Sequence, residues 1–259
     1  MTKDYQGYFI DLDGTTYKGT ERIPAAARFV RRLQQAGKLV MFVTNNSTRT
    51  PDFVSNNLRQ NHHINVGPDN VYTSALATAD YLKNELSIGR GNRVYMIGES
   101  GLKTALEDQG FVITDQNPDF VVVGLDYHVF YHQFEVATLA IRAGATFIGT
   151  NADSNLPNER GMVPGAGSLV ELVRYATQTD PIMIGKPSAI IMEMALKKSG
   201  LNKDQVVMVG DNYRTDISAA INVGMDSLLV YTGLTKKADI ADVQVRPTYE
   251  LNSLDEWQI

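Results

Sequence analysis

Two carboxylates two residues apart, Asp11 and Asp13, stand where an apolar run breaks off, in Phe9-Ile10-Asp11-Leu12-Asp13-Gly14-Thr15. A strand that stops there carries both side chains to one side, because side chains alternate along an extended segment. Like charges held that close repel, so the pair persists only with a cation or a shared proton between them. That is the local chemistry of a metal-assisted acyl-phosphate site, and also, taken alone, of a plain acidic turn. Three further apolar runs break off in the same way. Thr44-Asn45-Asn46 follows Leu39–Val43, Gly185-Lys186-Pro187 follows Ile182–Ile184, and Gly210-Asp211-Asn212-Tyr213-Arg214-Thr215-Asp216 follows Val206–Val209.

Each segment has an ordinary reading by itself. Thr44-Asn45-Asn46 is a common turn composition, Lys186 a solvated lysine, Asp211 a turn residue and Asp216 a helix cap. Their order and placement favour a shared site. In parallel α/β sheets ligands bind beyond the carboxyl ends of the strands, where all four segments fall. Together they supply a nucleophile, a proton donor, acidic ligands for a cation, a lysine and hydrogen-bond donors for phosphate oxygens.

The elements that must position these groups alternate between short apolar runs and amphipathic helical stretches, the pattern of βαβ units around a mainly parallel sheet. Tyr8-Phe9-Ile10 reads as the first strand. Pro24 opens a helix with Ala26, Phe29, Val30 and Leu33 on one face, and Gly37 stops it. Thr50-Pro51 opens another, and Ile190, Met194 and Gly200 outline a third. Ile182–Ile184 and Val206–Val209 read as strands of one type. Between the second and third polar segments the same alternation continues without acidic strand ends, through Val94–Ile97, Val121–Val123 and Thr146–Ile148, with helices near 101–110, 133–144 and 167–178. The expectation is a discontinuous core of residues 1–77 and 179–259 around a smaller α/β domain of 78–178.

Less can be drawn from other side chains. Gly161–Ser168 reads as a glycine turn before a helix, with anion binding at the helix start as the alternative. Tyr127, His128, Phe130 and Tyr131 are expected to pack into a core rather than touch a ligand, and Trp257 to seal the core's edge. The chain has 259 residues, 43% hydrophobic and 20% charged, with a formal charge of −5. That balance offers no electrostatic footprint for nucleic acid or an anionic membrane. With no cysteine, disulfides and thiolate metal sites are excluded. No leader or membrane-span pattern is read, so a cytoplasmic location is expected.

Asp11-Leu12-Asp13-Gly14-Thr15, Thr44, Lys186 and Gly210-Asp211…Asp216 resemble, in order, the four motifs of haloacid dehalogenase superfamily phosphatases. The inserted segment, together with Val43-Thr44-Asn45-Asn46-Ser47 and Thr150-Asn151-Ala152-Asp153, resembles the NagD-type branch and its large cap. The resemblance implies a doubly wound, mainly parallel, Rossmann-like α/β sheet with an inserted α/β cap that governs substrate choice. It implies hydrolysis of small phosphomonoesters such as sugar phosphates, nucleotides or phosphoglycolate-like acids. It assigns Asp11 as nucleophile and Asp13 as general acid and base. Mg²⁺ would be held by Asp11, the Asp13 carbonyl and Asp211. Lys186, Thr44 and the Asn45 backbone would bind phosphate, and Asp216 would position Lys186 or a metal-bound water. A phosphomutase or phosphotransferase, and a non-catalytic phosphate-binding protein, are the alternatives. The implied partner is a small molecule, with neither nucleic acid nor membrane, and self-association is left open.

Overall fold

The computed structural model describes residues 3–158 and 160–259, so the reading of the first two residues lies outside them. The chain forms two compact units. The first comprises residues 1–44, 51–72 and 186–259, and the second residues 45–50 and 73–185. The second unit therefore encloses the expected 78–178 segment and adds residues on both sides.

The first unit is built on a six-stranded sheet of β1 (Gly7–Ile10), β4 (Leu39–Thr44), β5 (Val71–Thr73), β13 (Val206–Gly210), β14 (Asp226–Val230) and β15 (Tyr249–Leu251). Its order is β15-β14-β13-β1-β4-β5, with β1 parallel to both β13 and β4. The central strands are buried along their whole length, as expected of near-continuous apolar runs covered on both faces. Helix α1 (Pro24–Gln35) has proline in its first turn and buries Ala25, Ala26, Phe29, Val30 and Leu33. That spacing of three and four puts one apolar stripe on the sheet. Trp257, 2% exposed, closes the core edge, and its indole N–H donates to the Tyr8 hydroxyl at 3.2 Å. A short hairpin, β2 (Tyr17–Lys18) with β3 (Glu21–Arg22), follows the Asp13 turn.

The second unit has a five-stranded sheet. Its strands are β6 (Arg93–Ile97), β7 (Val112–Ile113), β8 (Phe120–Val123), β9 (Thr146–Gly149) and β12 (Ile182–Met183), in the order β12-β9-β8-β6-β7. Helices α4 (Ser100–Asp108), α5 (Tyr131–Arg142) and α6 (Ala166–Thr177) belong to it. Both units are α/β with mainly parallel sheets. Among the described residues, no helix is long and apolar enough to cross a membrane.

Three local expectations are corrected. Ile182–Ile184, expected in the core with the 206–209 strand, contributes instead a strand, Ile182–Met183, that pairs with β9 in the second sheet. A three-residue apolar run carries no information about which sheet it joins. Gly161–Pro164 is no turn but β11, paired antiparallel with β10 (Asn155–Asn158). The aromatic group at 127–131 is not in a core: Tyr127, Phe130 and Tyr131 are all exposed. They flank the start of α5, whose buried positions are Ala137 and Ile141.

Candidate active site

Strand β1 ends at Ile10, level with Val209 of β13 and Phe42 of β4. Asp11 keeps that alignment through its N–H, which donates to the Val209 carbonyl at 2.9 Å. Leu12 then turns into the core, 3% exposed, which leaves Asp11 and Asp13 on the other side of the chain. The turn is closed by Thr16, whose N–H donates to the Leu12 carbonyl and whose hydroxyl donates to the Asp11 carbonyl, both at 2.7 Å. Asp13 is exposed, and its Oδ1 accepts from the Gly19 N–H at 3.1 Å.

Lys186 is not a solvated lysine. It is 2% exposed, and its Nζ lies 2.5 Å from Asp11 Oδ1 and 2.8 Å from Asp216 Oδ1. It also donates to the Val43 carbonyl at 2.9 Å. Three acceptors thus satisfy the three protons of a buried ammonium. Asp216 sits in a π-helical turn, Tyr213–Ile217, and its Oδ2 accepts from the Asn212 N–H at 3.1 Å. Asp211 follows the last residue of β13 and is 1% exposed. Carboxylate oxygens of Asp11, Asp211 and Asp216 lie within 4.8 Å of one another. Hard oxygen donors this close form a donor set for a divalent cation. The Asp13 carboxylate stands outside that group, so Asp13 could join it only through its backbone.

The charges respond to this crowding. Burial, reinforced by the Asp216 and Asp211 charges, holds the Asp11 carboxyl well above the usual carboxylate range against the pull of Lys186. Burial and the Asp216 charge push Asp211 up to about 6, against the Leu234 N–H, the Thr15 hydroxyl and Lys186. Burial alone would lower Lys186, but Asp11 and Asp216 outweigh it and hold its ammonium above the ordinary lysine value.

Thr44 closes β4, two residues beyond the Ile10–Phe42 pair, and is buried. Asn45 is the first residue of the second unit. Its side-chain amide donates to both Asp153 carboxylate oxygens at 3.1 Å, and its carbonyl accepts from Asn151 Nδ2 and Ser74 Oγ. Thr15 was legible only as the hydroxyl closing the first segment. Its Oγ1 donates to Asp211 Oδ1 at 2.9 Å. The Leu234 N–H, which donates to Asp211 Oδ2 at 2.8 Å, had no sequence signal at all, since any residue offers a backbone amide.

Comparison with known proteins agrees with this arrangement. A family model described as haloacid dehalogenase-like hydrolase matches residues 8–112, and a second HAD-hydrolase-like model matches residues 183–257. The chain is 47% identical over 255 residues to the 5'-nucleotidase YutF of Bacillus subtilis, covering 98% of each chain. It is 48% identical over 255 residues to an acid sugar phosphatase of Staphylococcus aureus, covering 98% of this chain and 97% of the relative. The structure of NagD from E. coli K-12 superposes with a TM-score of 0.92 at 32% identity, over 99% of both chains. With relatives that match nearly the whole sequence and family models that take in every strand end described above, the chain belongs to the haloacid dehalogenase-like hydrolases, among the NagD-like phosphatases.

Proposed function

We propose that the chain hydrolyses small organic phosphate monoesters with Mg²⁺ through an aspartyl-phosphate on Asp11. The observation that carries this reading is the buried Lys186 ammonium held between Asp11 and Asp216, with Asp211 close by. The reaction begins as an Asp11 carboxylate oxygen attacks phosphorus and the bond from phosphorus to the ester oxygen breaks. Asp13, exposed and oriented through Oδ1 by Gly19, gives its proton to the departing alcohol. Asp13 then takes a proton from water, whose oxygen attacks phosphorus; the aspartyl bond breaks and inorganic phosphate leaves. Lys186 offsets the charge on Asp11 as the phosphoryl group arrives, and the Thr44 hydroxyl and Asn45 backbone N–H donate to its oxygens. Asp216 keeps Lys186 aimed at Asp11.

Asp11, the Asp13 carbonyl and Asp211 would hold Mg²⁺, which supplies charge neutralisation between an anionic nucleophile and an anionic substrate. The family generally uses a divalent metal, and the oxygen-only donor set here suits a hard cation. Sugar phosphates and nucleoside monophosphates are the substrates we favour, in a cytoplasmic setting, given the activities for which two relatives are named. The test is phosphate release from a panel of monoesters with and without Mg²⁺. Release without any acceptor alcohol supports hydrolysis, and transfer to a second hydroxyl in its place would overturn it.

A further inference from the structure

The loop that leaves β14, residues 231–235, belongs to none of the four polar segments, yet it grips the acidic site at several points. The Leu234 N–H donates to Asp211 Oδ2 at 2.8 Å, and the Thr235 N–H donates to the Asp211 carbonyl at 3.1 Å. The Thr235 hydroxyl accepts from the Tyr213 N–H at 2.8 Å, which ties the same loop to the turn carrying Asp216. With Thr15 donating to Oδ1, both oxygens of the Asp211 carboxylate are oriented, and rotation about its last bond breaks both contacts. The loop lies so close that a Cβ on Gly233 would fall 1.8 Å from Asp211 Oδ2. Only glycine fits there.

The fourth contact is the informative one. The Thr232 hydroxyl donates to the Gly14 carbonyl at 2.7 Å. Gly14 has φ +97, a conformation that side-chain-bearing residues rarely adopt, and no side chain to hold it there. Its two flanking peptide groups must therefore be fixed from outside. The Asp13–Gly14 peptide is fixed by its N–H, which donates to the Tyr17 carbonyl at 2.6 Å. In a trans peptide the carbonyl points opposite to the N–H, so the Asp13 carbonyl is turned away from Tyr17. The Gly14–Thr15 peptide is fixed by Thr232 alone among the hydrogen bonds described.

We propose that Thr232 is a positioning residue for the metal ligands. By tying the Gly14–Thr15 peptide to the loop that holds Asp211, it fixes the distance between the turn carrying the Asp13 carbonyl and the Asp211 carboxylate, while the Tyr17 contact sets that carbonyl's direction. The inference rests on the metal assignment proposed above and adds a strand end, that of β14, to the site.

The test measures Mg²⁺ binding without substrate, by calorimetry on the full chain, for wild type, Thr232→Val, Thr232→Ala and Thr232→Ser. Thr232→Val and Thr232→Ala are expected to weaken Mg²⁺ binding about 10–100-fold, the usual effect of removing a group that orients a metal ligand. Thr232→Ser keeps the hydroxyl and restores wild-type binding. Turnover of an aryl phosphate by Thr232→Val recovers at high Mg²⁺, with KM changed less than the Mg²⁺ requirement. A lowered unfolding midpoint with unchanged Mg²⁺ affinity in both hydroxyl-free variants would make the contact merely structural and overturn the proposal. Should wild type bind no Mg²⁺, the metal assignment itself falls and takes this inference with it. If wild type binds Mg²⁺ and the variants bind it equally well, the proposal alone falls.

Discussion

Proton and metal should compete at this site, and the competition has a calculable size. Asp211 is pushed up to about 6 and Asp11 lies well above the usual carboxylate range, chiefly through burial. A carboxyl must lose its proton before it can ligate, so apparent Mg²⁺ affinity falls as acidity keeps the ligands protonated. For Asp211 alone, lowering the pH from about 7 to about 5 reduces the ionised fraction and hence the affinity about tenfold. Asp11 adds to that loss, up to a further tenfold per pH unit wherever it too is protonated. Lys186 stays charged throughout and contributes no change. The sign for stability runs the same way. The folded value of Asp211 exceeds its ordinary value of 3.8, so the metal-free folded chain binds more protons in that interval than the unfolded one. Stability of the metal-free protein therefore falls as pH rises from about 4 to about 6, by at most roughly 3 kcal/mol. Mg²⁺ bound at the proposed site is expected to reverse the loss. Calorimetric titration at several pH values, in buffers of different ionisation enthalpy, reads both the affinity and the protons released. An affinity constant between about pH 5 and 7, with no proton release, would refute the reasoning that burial sets these carboxyls.

Other perturbations test other parts of the same argument. Asp11→Asn should abolish phosphate release while leaving the far-ultraviolet circular dichroism spectrum unchanged, and appreciable turnover in that variant would remove Asp11 as nucleophile. Lys186→Met removes a buried cation from between two carboxylates. It should cost roughly 3–5 kcal/mol at neutral pH by urea unfolding, and at least about 100-fold in kcat. Phe29→Ala, at a fully buried position of α1, should cost roughly 3–5 kcal/mol by urea unfolding with KM little changed.

Much of the site could be read before any coordinates because its side chains are unusual where they stand. A carboxylate or a lysine at the end of a wholly apolar run has few structural uses, and three such ends in one chain, with the polar Thr44-Asn45-Asn46 as a fourth, constrain each other. Strands β1, β4 and β13 were legible as short, wholly apolar runs bounded by polar segments, buried from end to end or nearly so. What escaped was carried by groups without a signature. Gly233 and the Leu234 N–H act through backbone, and Thr232 is one threonine among many. The β14 run, Asp226–Val230, ends in no charged group, so nothing drew attention to the loop beyond it. Two-residue strands such as β2 and β3 lack the length for a period to show, and β12, read as a strand, gave no sign of the sheet it joins. The aromatic group at 127–131 misled because hydrophobicity alone does not separate a core from an exposed helix entry.

The charge balance of the cluster argues for a divalent ion in particular. Asp11, Asp211 and Asp216 bring three carboxylates into a volume that Lys186 shares as the cation in contact with two of them. Fully ionised, the group keeps two uncompensated negative charges, and burial makes each expensive to hold. In the metal-free protein the relief comes from protons, hence the raised Asp11 and Asp211. A monovalent cation would leave one charge over and one carboxyl still competing for a proton. A divalent cation cancels the deficit and frees both groups to stay ionised at neutral pH. Under the proposed mechanism Asp11 must be ionised to attack, so the cation that would complete the electrostatics would also set the protonation state that this chemistry needs. If the unpaired charge is what recruits the metal, Asp216→Asn should weaken Mg²⁺ binding even though Asp216 is assigned to Lys186. It should also lower the pH at which Asp11 and Asp211 lose their protons, because its charge raises both. A titration showing these two effects would separate a field acting on the whole cluster from a simple count of ligands.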